Sequence, residues 1–216
     1  MRPTAADLVL QRRAPVVTVP FLGEFIPLEA DGHRFLLARD GLWIEARSRW
    51  LHVIWPLAQQ RQVLIPAGEL RQQVTLAFGD EARQLIMRFV DEARIAHPNE
   101  VGAICVWDDR TRMMKLMPTQ TLSAGVGHLR YRRPMLAEHE QVAIDLHSHG
   151  PLGTDFSDTD VADTGAEVVL CGVVGRLPDA AELNLALFVC GLQIPVKSDL
   201  AEWANRALHE AAAAHS

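Results

Sequence analysis

The chain has 216 residues, 49% hydrophobic and 22% charged, which is the make-up of one sizeable globular domain, or one with an appendage, rather than of a disordered segment. A net charge of −6, with no basic run longer than two residues, argues against a nucleic-acid partner. The longest apolar runs, such as VVLCGVV, are too short to cross a bilayer, and MRPTAADLVLQRRAPVV lacks the apolar core of a secretory signal, so no membrane association is expected.

Residues 15–57 read as a β meander. The runs VVTVPFLG, HRFLLA, LWIEA and WLHVIW are rich in β-branched and aromatic residues, and Asp31-Gly32 and Asp40-Gly41 between them are tight-turn signals. Trp43, Trp50 and Trp55 cluster here and read as the core of this layer, with a ligand-stacking role as the lesser alternative. Residues 80–96 carry Ala82, Leu85, Ile86, Phe89, Val90 and Ala93 at helical spacing, so an amphipathic helix is expected, capped by Asp80 and ended by Pro98. A buried strand over 101–107 follows. Residues 108–134, basic and broken by Pro118, Gly125 and Gly127, predict a strand pair and a flexible loop. Strands are expected over 141–149, 166–175 and 182–191, and a capped helix over 198–214. Cys105, Cys171 and Cys190 are odd in number, lie in apolar strand-like runs and lack CxxC spacing. They read as buried thiols of a reducing, cytoplasmic compartment. The order predicts an α+β (α/β-like) mixed sheet flanked by helices, with a β-rich region over 1–65 ahead of a main domain over 66–216.

The stretch DLHSHGPLGTDFSDTD, residues 145–160, carries the chemistry. Alternate strand residues share a face, so His147 and His149 point the same way, about 6–7 Å apart at the usual rise, and can converge on one cation. A hydrolytic zinc site needs three protein ligands and an open position; Asp160, brought back by the glycine-bearing loop, can be the third. Zinc in such a set makes hydroxide available at neutral pH. Other readings fit part of the stretch. Ser157-x-x-Asp160 is also a capping-box pattern. The carboxylates of 155–163 offer calcium ligands, although the sixth-position glycine and the closing glutamate are missing. For a general base the residues leave Glu81, Glu92, Glu100, Glu138 and Glu140 open. Glu100 has a modest lead, because it lies where the helix has ended and a buried strand begins.

The spacing H-S-H, seven residues, then S-x-x-D resembles the JAMM (MPN+, Mov34/PAD-1) metalloproteases, and HPNEVGAICVW is similar to the family's glutamate-bearing segment. The resemblance runs over roughly 76–196 and implies an MPN/JAB1-type sheet with zinc held by His147, His149 and Asp160. It also implies Glu100 as general base and Ser157 as the residue that stabilises the oxyanion. The activity implied is that of an isopeptidase acting on the C-terminal tail of a ubiquitin-like protein, with 108–134 as the segment that holds the tail. Asp145, on the same strand face, is expected either to orient a histidine or to be a plain strand residue. One departure is Gly150-Pro151, where the family often has proline directly after the second histidine. The N-terminal DGLWIEARSRWLHVIWP, taken with the site motif, is similar to plasmid-type bacterial PRTRC proteins, which implies a ThiF/E1-like protein and a small ubiquitin-like protein as partners. Two rival classes stand beside this: a non-catalytic MPN scaffold, and a PHP-type metallophosphoesterase suggested by DLHSHG. The latter needs many further His and Asp ligands downstream, and the histidines after His149 are two, His209 and His215, both in the terminal tail.

Overall fold

In a computed structural model, which describes residues 3–60, 65–195 and 205–206, the chain divides into two units, Met1–Ala77 and Phe78–Ser216.

The first unit opens with α1 (Ala5–Arg13), started by a reciprocal cap in which Thr4 Oγ1 accepts from the Asp7 amide (3.2 Å) and the Asp7 carboxylate accepts from the Thr4 amide (2.6 Å). None of its residues is buried, which is why no apolar period announced it. Then come β1 (Val16–Thr18), β2 (Gly32–Ala38), β3 (Gly41–Arg47), β4 (Leu51–Gln59) and β5 (Gln73–Leu76), in that order across one sheet. β1 runs parallel to β2 and the other pairs are antiparallel. The Asp40-Gly41 turn requires glycine: φ is +137° and a Cβ would lie 2.0 Å from the Ala58 carbonyl oxygen. Val19, Leu36, Ala38, Trp43 and Ile54 form a core cluster, with Phe25 and Leu70 packed against it. Trp50 is also buried, while Trp55 is only half-buried. The division after Ala77 lies beyond the expected boundary at 65, because β5 pairs with β4 and the Ala77 amide bonds the Trp50 carbonyl (2.8 Å).

A buried charge organises this unit. Glu45 is fully buried and accepts from Arg34 Nε (2.6 Å), the Leu28 amide (2.8 Å) and His52 Nε2 (2.8 Å). Truncating one partner of such a group strands the others. Glu45→Ala is expected to lower unfolding free energy by roughly 3–5 kcal/mol, read by urea denaturation.

The second unit begins with α2 (Asp80–Ala96), whose buried side chains are Ala82, Ile86, Phe89, Val90 and Ala93; Leu85 is half-buried. The cap is Gly79, without a side-chain hydrogen bond; Asp80 is already inside the first turn, where its charge favours the helix dipole. β6 (Gly102–Asp108), β7 (Met113–Pro118), the hairpin β8 (Gln120–Gly125) and β9 (His128–Arg132), β10 (Glu140–Ser148), α3 (Asp158–Thr164), β11 (Val168–Gly175), β12 (Glu182–Val189) and β13 (Leu192–Pro195) follow. The main sheet has the order β13-β12-β11-β10-β6-β7, mixed because β10 and β11 are parallel. The strand pair expected within 108–134 is present as β8–β9, a separate two-stranded sheet, and the remainder is more regular than the expected flexible loop, since β7 joins the main sheet. α2 packs on β6, β7 and β10. Phe156 and Val161, from the α3 side, pack on Val169, Cys171, Ala186 and Phe188. The pairing of β10 with β6 shifts by one residue between Val142 and Ile144, so that β10 carries a bulge at Ala143. Beyond it, Ile144, Leu146 and Ser148 face one way, and Asp145 and His147 the other. The expected helix over 198–214 lies outside the described residues except for Asn205 and Arg206, which are helical; the Asn205 side chain makes two 3.0 Å bonds to the Leu183 backbone. Among the described residues no helix is long and apolar enough to cross a membrane.

Candidate metal centre

Three donors converge where β10 ends and α3 begins. His147 Nε2 and His149 Nε2 are 3.1 Å apart, Asp160 Oδ1 is 3.2 Å from the first, and Asp160 Oδ2 is 3.5 Å from the second. In a tetrahedral zinc site with bonds of about 2.0–2.1 Å, neighbouring ligand atoms lie about 3.3–3.4 Å apart. The histidine nitrogens, and the Asp160 oxygen facing each of them, lie near that figure, and one donor atom from each of the three residues can be taken with all within 4.8 Å of one another, so the residues can gather round a single small cation. His149 Nδ1 lies 3.1 Å from the Gly153 carbonyl oxygen, which can take its N–H and leave Nε2 free to ligate.

Asp160 is oriented by the helix start. Its Oδ2 accepts from the Ser157 amide (2.7 Å) and hydroxyl (2.8 Å), while the Asp160 amide donates to Ser157 Oγ (3.2 Å). The capping box and the donor set are therefore the same residues. Burial opposes ionisation of Asp160, but hydrogen bonds from His147 and His149 and from the Ser157 amide outweigh it, holding the carboxyl well below its usual range. The His149 ring is shifted upward, first through its bond to Asp160.

Glu100, just before β6, is buried and borders the same cavity of about 370 Å³ as His147, His149, Ser157 and Asp160. Burial raises its carboxyl above the ordinary glutamate range, and His149 and His147 offset part of that rise. Gly150 explains the departure in the loop: its φ is +53° and a Cβ would sit 2.7 Å from the Pro98 carbonyl, against the segment that leads to Glu100. Gly150→Ala is expected to cost about 1–3 kcal/mol of stability, checked by thermal unfolding.

Asp145 does not orient a histidine. Its oxygens accept from Tyr131 Oη (2.7 Å) and Arg133 Nε (2.8 Å), and Arg133 also reaches Glu167 (2.7 Å). This ties β9 down as the cavity wall, lined by His128, Leu129, Arg130 and Tyr131. In the sequence, the signal for those residues is the apolar–basic alternation of HLRYR. Burial and Asp145 together push the Tyr131 hydroxyl's pKa up. A second group, Asp108, His139 and Glu140, also brings donor atoms close together. There, however, Asp108 Oδ1 already accepts from the Arg110 and Thr111 amides, and Glu140 from Lys115 and the Ala137 amide.

An open mixed sheet with an HxH strand end and an acidic helix start defines a JAB-type domain. The family model for prokaryotic homologs of the JAB domain matches residues 82–189, half of the chain, and the chain belongs to that family. A second match, to a domain of unknown function (DUF2016), spans residues 4–77, and the two together are those of a bacterial JAB-domain protein. No curated protein matches the chain. The sheet is not the barrel that the phosphoesterase reading requires.

Proposed function

We propose that the chain is a zinc-dependent peptidase or isopeptidase that hydrolyses the amide at the C-terminal tail of a ubiquitin-like protein. The observation that carries this reading is the triangle of donor residues, with the histidine nitrogens 3.1 Å apart, one Asp160 oxygen 3.2 Å from His147 and the other 3.5 Å from His149, beside a buried glutamate in one cavity. His147, His149 and Asp160 would hold zinc, which when bound supplies Lewis acidity to the scissile carbonyl and to water. Glu100 takes the proton of the attacking water and delivers it to the leaving amine; its raised carboxyl pKa brings it closer to the value a base working near neutrality needs. The Ser157 hydroxyl turns from Asp160 towards the developing oxyanion, while its amide keeps hold of the Asp160 carboxylate. An extended tail lies along β9, whose residues His128–Tyr131 line the cavity. A ThiF/E1-like enzyme acting on the same tail is the partner this chemistry suits. The three free cysteines, with Cys105 pushed up to about 12 by burial, support a reducing cytoplasmic setting.

The test is elemental analysis of the purified protein, followed by incubation with a ubiquitin-like protein carrying a C-terminal extension. One zinc per chain and release of the extension, abolished by a chelator, are expected. A chain that binds no zinc is a binding module instead.

A further inference from the structure

Ser148, between the two histidines, faces away from the cavity and is fully buried. Its Oγ accepts the Val101 amide (3.0 Å), and its own amide donates to the Val101 carbonyl (2.9 Å). The Val101 amide belongs to the peptide that follows Glu100. On the other side the Glu100 amide donates to the Gly125 carbonyl (3.2 Å) at the end of β8. The backbone of Glu100 is therefore held from both sides, by the hairpin and by the strand that carries the histidines.

We propose that Ser148 is a positioning residue for Glu100: its hydroxyl fixes the peptide after Glu100 and so sets where the carboxyl sits relative to the donors of His147 and His149. Strand alternation makes this possible, because Ser148 points to one face while its neighbours serve the other. Glu100 precedes β6 proper, so this hydroxyl stands where the regular ladder has not yet begun. The inference rests on the reading of Glu100 as the proton carrier.

The test compares wild type, Ser148→Ala, Ser148→Thr and Glu100→Gln as zinc-loaded full chains. Zinc content is expected to be equal in all four. Exchange of the Val101 amide with deuterium is expected to quicken at least about tenfold in Ser148→Ala and to return to within about threefold of wild type in Ser148→Thr, which restores the acceptor. With a ubiquitin-like protein bearing a C-terminal extension, kcat of Ser148→Ala is expected to fall on the order of 10- to 100-fold, with KM changed by no more than about threefold. Should Ser148→Ala fail to fold, Ser148→Cys, similar in size and a weak acceptor, takes its place with the same expectations. Unchanged Val101 protection in the alanine variant, or an unchanged kcat while Glu100→Gln is inactive, overturns the proposal. An active Glu100→Gln overturns the reading of the base, and the exchange measurement still reports on the serine.

Discussion

Glu100→Gln is expected to lower turnover on the order of 100- to 10,000-fold while leaving fold and zinc content in place. The amide keeps the size of the side chain but cannot accept the proton of the attacking water. Because burial already disfavours the Glu100 carboxylate, a neutral replacement is expected to leave thermal stability equal or slightly higher. Steady-state rates, paired with a melting curve and metal analysis, separate this outcome from misfolding. A variant with near wild-type rate would remove Glu100 from the mechanism.

His149→Ala is expected to lose zinc as well as activity. The ring supplies one corner of the donor triangle, and its Nδ1 also contacts the Gly153 carbonyl, so the substitution loosens the loop that carries the chain towards Asp160. Loss of a group that merely orients a ligand costs about 10–100-fold in metal affinity, and loss of a ligand costs more. Equilibrium dialysis against zinc measures the effect. His139→Ala is the control: it belongs to the group whose carboxylates are already engaged, and it should leave zinc content unchanged. Stoichiometric zinc in His149→Ala would take His149 out of the ligand set.

The donor strand and α3 were legible because each obeys a local rule: alternation at 145–149, and a capping box at 157–160. α2 was legible from its apolar stripe, whereas its cap was not, since Asp80 suits either the cap or the first turn and only backbone geometry separates them. α1 left no stripe because it buries nothing. The role of Asp145 was hidden for another reason: its face was readable, but its partners, Tyr131 in β9 and Arg133 just beyond it, lie 14 and 12 residues earlier, across a hairpin that periodicity does not reveal. The buried Glu45 likewise depends on Arg34, His52 and a loop amide meeting across strands.

The extra residue at Ala143 sets the phase of everything downstream in β10. Asp145 anchors the wall, His147 and His149 supply donors, and Ser148 holds the neighbouring peptide, each by virtue of which side of one ribbon it occupies. Deleting Ala143 would turn the strand's side chains to the opposite face on one side of the deletion, so a one-residue change in length exchanges cavity and core roles together, whereas a substitution alters one role at a time.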